Sequence, residues 1–155
     1  MAEDFRREHP EDFDVLRRVP ITYEKEHHDV HRKYRRPLFD VDLDDRLTGV
    51  YFSPQFEGTL DVDQSLVRPF YQGYAKWHAH IRKPEYVKTS KLEEGQIITF
   101  NNRRVLHGRK GFPANESRLL MGTYSSLDDM SNRIRVLARE NQQPVHVRRL
   151  GNHCH

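Results

Sequence analysis

Apolar positions along this chain follow three patterns, and each predicts a different element. Phe13, Leu16 and Val19 recur at a helical step between Pro10 and Pro20, so a short helix opens at Pro10 with Glu11 and Asp12 in its first turn. Leu66, Phe70, Tyr74, Trp77 and Ile81 repeat at steps of three and four and predict a longer helix. Pro69 must lie in the first turn of that helix, which puts its start near Leu66, and Pro84 ends it. Met130, Ile134 and Leu137 form the apolar face of a closing helix, opened by Ser126 with Asp129 three residues on. Alternation takes over between Arg36 and Leu43, where apolar and acidic residues take turns. Asp44-Asp45 then supplies a turn and Leu47 to Ser53 returns, which predicts a hairpin. Shorter strands are predicted at Ile21 to Glu24 and Tyr86 to Thr89. Unbroken apolar runs at Ile97 to Phe100, Val105 to His107 and Leu119 to Tyr124 read as buried strands. Lys25 to Arg36 carries neither period and reads as an exposed connection. Residues 1–9 are charged and read as a frayed start. The sum is an α+β, β-centred domain, short strands covered by helices.

Composition narrows this picture. A chain of 155 residues is long enough for one domain with a real core, spanning residues 10–142, with 143–155 as a tail. At 35% hydrophobic and 32% charged residues, that core must be compact or completed by something else. A net charge of +3 does not argue for a nucleic-acid or membrane partner, and neither is expected. The single cysteine, Cys154, excludes an internal disulfide and agrees with a reducing compartment. No apolar run approaches the length of a membrane span and no targeting segment is evident, so the expected location is cytoplasmic.

Candidate chemistry concentrates between residues 97 and 137. His107 ends an apolar run before Gly108, and Arg118 follows it by eleven positions, immediately before another apolar run. On neighbouring strands the two side chains would face one pocket, an imidazole suited to a transition metal and a guanidinium suited to a carboxylate. On spacing alone the plainer reading is better: a hydrogen-bonded structural histidine and a solvated arginine. Elsewhere, His27-His28-Asp29 and His9-Pro10-Glu11 spell the His-x-acid half of a two-histidine, one-carboxylate iron site. Their flanks are too polar to hold a dry site, so both read as solvated, with His27 and Asp29 kept as a minority hypothesis. His78 and His80, two apart on a helix, make a poor chelate. His146, His153, Cys154 and His155 read as a solvated terminus with no closed ligand spacing.

Asn102-Arg103-Arg104-Val105-Leu106-His107-Gly108-Arg109, then Arg118, Gly122-x-Tyr124, Asp128 and Arg133-x-Arg135-x-Leu137, resemble the C-terminal part of the γ-butyrobetaine hydroxylase family. These are Fe(II)- and 2-oxoglutarate-dependent dioxygenases of the taurine-dioxygenase superfamily, and trimethyllysine hydroxylases share much of the pattern. The resemblance extends to Leu92 to Gln96, Val67 to Tyr71 and Phe13 to Pro20, covering roughly residues 10–140. It implies a partial double-stranded β-helix, or jelly roll, with covering helices. It also implies Fe(II) as metal, 2-oxoglutarate as cosubstrate, ascorbate as reductant, and a small trimethylammonium substrate. His107 matches an iron-ligating histidine, Arg118 the arginine that holds the far carboxylate of 2-oxoglutarate, and Tyr124 an aromatic of the cage around the quaternary ammonium. The implied activity is hydroxylation of γ-butyrobetaine to carnitine. By the same alignment the His-x-Asp half of the iron site lies upstream of everything in this chain, so the isolated chain is expected to be inactive. Trimethyllysine hydroxylation, with a mitochondrial location, is one alternative, and a non-catalytic jelly-roll fragment, acting as a homodimer or inert, is another.

Overall fold

The structure, a computed structural model, describes residues 1–111 and 119–144. The chain divides into two compact units, residues 1–107 and 108–155. The first holds helices α1 (Ala2–Glu8) and α2 (Pro10–Arg18), strands β1 (Pro20–His27), β2 (Val30–Pro37), β3 (Phe39–Val41) and β4 (Leu47–Val50), a single 3-10 turn (Pro54–Phe56) and helix α3 (Gln64–His80). The described part of the second holds helix α4 (Leu127–Glu140).

The expected frayed start is a helix. The α-amino group of Met1 donates to Asp4 at 2.9 Å, Arg7 pairs with the same carboxylate at 2.7 Å, and Phe5 is fully buried. One buried aromatic in seven residues anchors α1 without producing a visible period. Its neighbour α2 begins at Pro10 as predicted and buries Phe13 and Leu16.

Lys25 to Arg36 is also corrected, from connection to hairpin. Strands β1 and β2 pair antiparallel from Pro20 opposite Pro37 to His27 opposite Val30. Only the base of the hairpin, Ile21 to Tyr23, is buried, while the outer half stands in solvent. Polar cross-strand pairs hold that outer half, Glu24 with His31 at 2.7 Å and with Lys33 at 3.4 Å, above the stack of buried Tyr23 on Tyr34 at its base. Each such pair contributes about 0.2–1 kcal/mol. The predicted second hairpin forms as β3 and β4, turning through Asp42 to Arg46 with Asp45 at φ 59°.

Helix α3 starts at Gln64, two residues before the expected start, because the Asp63 side chain accepts from the Ser65 backbone N–H at 2.8 Å. Its stripe packs as predicted, with Phe70 and Trp77 buried and Tyr74 and Ile81 partly so. Phe39 of β3 is the centre of the core. It stacks on Phe13 at 4.5 Å, meets Trp77 edge-on at 4.9 Å, and lies 5.9 Å from Phe5. Gly73 lets α3 approach α2, since a Cβ there would stand 3.2 Å from the Asp12 Cβ and 3.3 Å from its carbonyl oxygen.

Small antiparallel sheets with helices make this a mixed α/β architecture. The predicted strands at Ile97 to Phe100, Val105 to His107 and Leu119 to Tyr124 do not form, and neither does the one at Tyr86 to Thr89. Ile97 is 90% exposed and Leu119 89%. A strand exists only by pairing, and none of these runs meets a ladder partner among the described residues. Tyr86 is instead held at the end of α3, where its hydroxyl donates to Asp4 at 3.0 Å. The closing helix α4 forms where expected, with the Ser126 hydroxyl accepting from Asp129 N–H at 2.9 Å.

Candidate functional site

His107 lies at the end of the first unit, solvent-exposed, its ring 4.7 Å from that of Phe100. The segment that carries it is fastened at two points. Arg104 and Val105 N–H close a turn on the Asn101 carbonyl at 3.0 and 3.1 Å, and the Arg103 carbonyl accepts from Val50 N–H of β4 at 3.3 Å. Leu106 packs against the core. The motif is thus hung on β4, with its imidazole directed away from the packed interior. Arg118 lies outside the described residues, as do His146, His153, Cys154 and His155. Tyr124 belongs to the second unit and is 86% exposed.

An iron site needs more than one imidazole. Among the described residues, one group of three histidine or carboxylate side chains converges, and it is Glu8, His9 and His80, without His107. His27, His28 and Asp29 sit at the exposed tip of the first hairpin, where the His28 Nδ1 and the Asp29 carboxylate are 2.6 Å apart. They join no three-ligand group with His107. The described residues thus do not complete a facial triad at His107.

His80 escaped the sequence reading, which set it beside His78 only as a poor chelating pair two apart on a helix. It is 2% exposed, three residues beyond Trp77 on the same buried face of α3, and that spacing was the available signal. His78 is half-buried, in contact with Arg82 and Phe52. Burial pushes the His80 pKa below the usual imidazole value. A second buried polar cluster centres on Glu57, whose Oε2 accepts from the Tyr74 hydroxyl at 2.7 Å while its Oε1 has no partner. Burial raises the Glu57 pKa above its ordinary value, and burial followed by the hydrogen bond to Glu57 raises that of Tyr74. A cleft of about 540 Å³ is lined by Arg6, Arg7, Arg17 and Phe13, but its guanidinia are paired with Asp45, Asp4 and Asp14 respectively. Their charges are thereby largely satisfied.

A mixed α/β chain carrying an exposed histidine motif tied to β4 defines a class that comparison with known proteins narrows to a family. Residues 1–124 match the Taurine catabolism dioxygenase TauD, TfdA family, and the chain belongs to it. It is 30% identical over 142 residues to the γ-butyrobetaine dioxygenase of Pseudomonas sp. (strain AK-1), which covers 90% of this chain and 37% of that enzyme. It is likewise 30% identical over 149 residues to the trimethyllysine dioxygenase of Meyerozyma guilliermondii, covering 93% of this chain and 37% of that protein. The γ-butyrobetaine dioxygenase of Homo sapiens is 25% identical over 143 residues, covering 88% of this chain and 37% of its own. The chain therefore spans about 37% of the length of these relatives. No helix among the described residues is long and apolar enough to cross a membrane.

Proposed function

We propose that residues 1–155 supply the C-terminal portion of an Fe(II)- and 2-oxoglutarate-dependent dioxygenase that hydroxylates γ-butyrobetaine to carnitine while 2-oxoglutarate is oxidised to succinate and CO₂. The observation that carries this reading is the 30% identity to the Pseudomonas γ-butyrobetaine dioxygenase across 90% of the chain. In this reading His107 is one ligand of the iron, and the other two come from polypeptide outside these residues. Arg118 holds the far carboxylate of 2-oxoglutarate through a two-point ion pair. Tyr124 offers a ring face to the trimethylammonium group, which has no N–H to donate and is held by π-electrons instead. The exposure of Ile97, Ile98, Phe100 and Val105 supports the same view, because these are residues suited to a sheet interior that meet no partner strand among the described residues. The isolated chain is then inactive. Trimethyllysine is the competing substrate, supported by the equal identity to the Meyerozyma enzyme.

The test is a chimera in which residues 1–155 replace the matching segment of the Pseudomonas enzyme. Succinate release is expected with γ-butyrobetaine, and loss of about a hundredfold or more in turnover with His107→Ala, since a missing first ligand exceeds the ten- to hundredfold cost of an outer-shell change. A folded chimera without substrate-dependent turnover, or turnover by the isolated chain, overturns the proposal. Preference for trimethyllysine over γ-butyrobetaine selects the second reading.

A further inference from the structure

We propose that Glu8, His9 and His80 form a binding site for one divalent transition-metal ion of the zinc class, which fastens the junction of α1 and α2 to the C-terminal end of α3. The three side chains offer two nitrogens and one carboxylate oxygen, all within 4.8 Å of one another. Two imidazoles and a carboxylate suit Zn²⁺, Co²⁺ or Ni²⁺, not Mg²⁺ or Ca²⁺, which prefer oxygen alone.

His80 carries the argument. Its Nε2 lies 3.1 Å from the Met1 carbonyl oxygen, which can only accept, so Nε2 holds the ring proton and donates it. The other nitrogen, Nδ1, is left with a bare lone pair. That atom is buried without a hydrogen-bond partner, and the nearest charged group, the Glu8 Oε2, is 3.6 Å away. Two acceptors thus face each other across a gap with no proton between them. Protonating His80 would bridge them, but its burial among Phe5, Trp77 and Tyr86, with ring centroids at 5.3, 6.2 and 5.0 Å, opposes a charged ring. A cation resolves the same conflict without charging the imidazole. The Met1 carbonyl then acts as the outer partner that fixes tautomer and ring orientation, an arrangement typical of metal-bound histidine.

His9 completes the set from the junction between α1 and α2, its ring 6.5 Å from that of His80 and edge-on to it. Metal bonds of about 2.0–2.2 Å require the ligand atoms to draw closer than 4.8 Å. Glu8, with 39% of its side chain exposed, has room to make that move. Lys83 presently offsets the Glu8 charge at 2.9 Å, so its ammonium competes with a bound metal ion for that carboxylate. The site is independent of the oxygenase reading, because it uses neither His107 nor Arg118.

Zinc is titrated into the full chain in competition with a chromophoric chelator, with His146→Ala, His153→Ala, Cys154→Ser and His155→Ala removing the C-terminal donors. One equivalent is expected to bind, with a rise in thermal midpoint. His9→Ala and Glu8→Gln, both accessible positions, are each expected to weaken binding at least tenfold and abolish that rise, while Lys83→Met strengthens binding. His107→Ala leaves the affinity unchanged. Less than tenfold weakening by either of the first two variants, or loss of binding in His107→Ala, overturns the proposal.

Discussion

Phe39→Ala tests the packing on which the first unit depends. The ring is 1% exposed and touches three aromatic neighbours, Phe13, Trp77 and Phe5, at centroid distances of 4.5, 4.9 and 5.9 Å. Truncation removes the transfer free energy of a buried benzyl group and leaves a cavity that three rings and Leu38 can only partly close, a loss of about 3–5 kcal/mol. The ring–ring preferences, about 0.5–1.5 kcal/mol each, are part of that figure and are not added to it. Phe39→Leu keeps most of the volume and forfeits mainly the ring geometry, so about 1–1.5 kcal/mol is expected. Against a total stability of about 5–15 kcal/mol for an ordinary domain, the first variant is marginal and the second is comfortably folded. Urea denaturation followed through the fluorescence of Trp77, the single tryptophan, reads the cluster directly. Tyr71→Ala, at an exposed position of α3, serves as control and should shift stability by no more than about 0.5 kcal/mol. A Phe39→Ala loss below about 1 kcal/mol, or equal losses for alanine and leucine, would refute the assignment of Phe39 as the central contact.

Three further outcomes are expected. Gly73→Ala gains about 1 kcal/mol of helix propensity, but its methyl meets the Asp12 backbone of a packed helix at 3.3 Å; overpacking at about 1–3 kcal/mol wins, and a stabilised variant in the same urea assay contradicts this. Glu57 has its folded pKa raised by burial, so the fold binds a proton more tightly than the unfolded chain, and this contribution to stability is full below the unfolded value near 4.5 and lost as pH rises through the folded one. Glu57→Gln should remove that decline, and urea midpoints from pH 4 to 8 with the same slope in both proteins would disprove it. Amides of residues 97–101, which precede the turn closed by Arg103, Arg104 and Val105 on Asn101, should exchange with deuterium close to intrinsic rates in the isolated chain and slow down in the chimera; protection there in the isolated chain would show that the segment already has a partner.

What the sequence disclosed follows from where the pattern was local. Helices α2, α3 and α4 each carry three or more apolar residues at helical steps, and the β3–β4 hairpin carries its own alternation and turn, so a window of ten residues identifies them. Helix α1 has one anchoring aromatic, Phe5, and no window shows a period of one. Strand β2, Val30-His-Arg-Lys-Tyr-Arg-Arg-Pro37, is nearly all polar because neither face of the hairpin's outer half is covered. Its register is inherited from the buried base at Ile21 to Tyr23. At the candidate site the motif around His107 was legible as a family resemblance, whereas His80 was hidden by its residue type, since histidine scores as polar even when it continues an apolar stripe.

The opposite failure, strands read at 97–100, 105–107 and 119–124 that do not form, says more about function than the successes do. β-branched and aromatic runs record a preference for a sheet interior, yet they cannot supply the second strand that makes one. Unit 1 builds its core from Phe5, Phe13, Leu16, Phe39, Phe70 and Trp77, none of which belongs to the His107 motif. The motif is instead attached to that core by Leu106 and by the Val50–Arg103 hydrogen bond, with Ile97, Ile98 and Val105 left facing water. Apart from Leu106, the core and the His107 motif thus use different residues, and in the proposed dioxygenase Ile97, Ile98 and Val105 would be covered by a strand supplied from outside these residues. In that arrangement a neighbouring strand would order the segment and fix the direction of the imidazole in the same step.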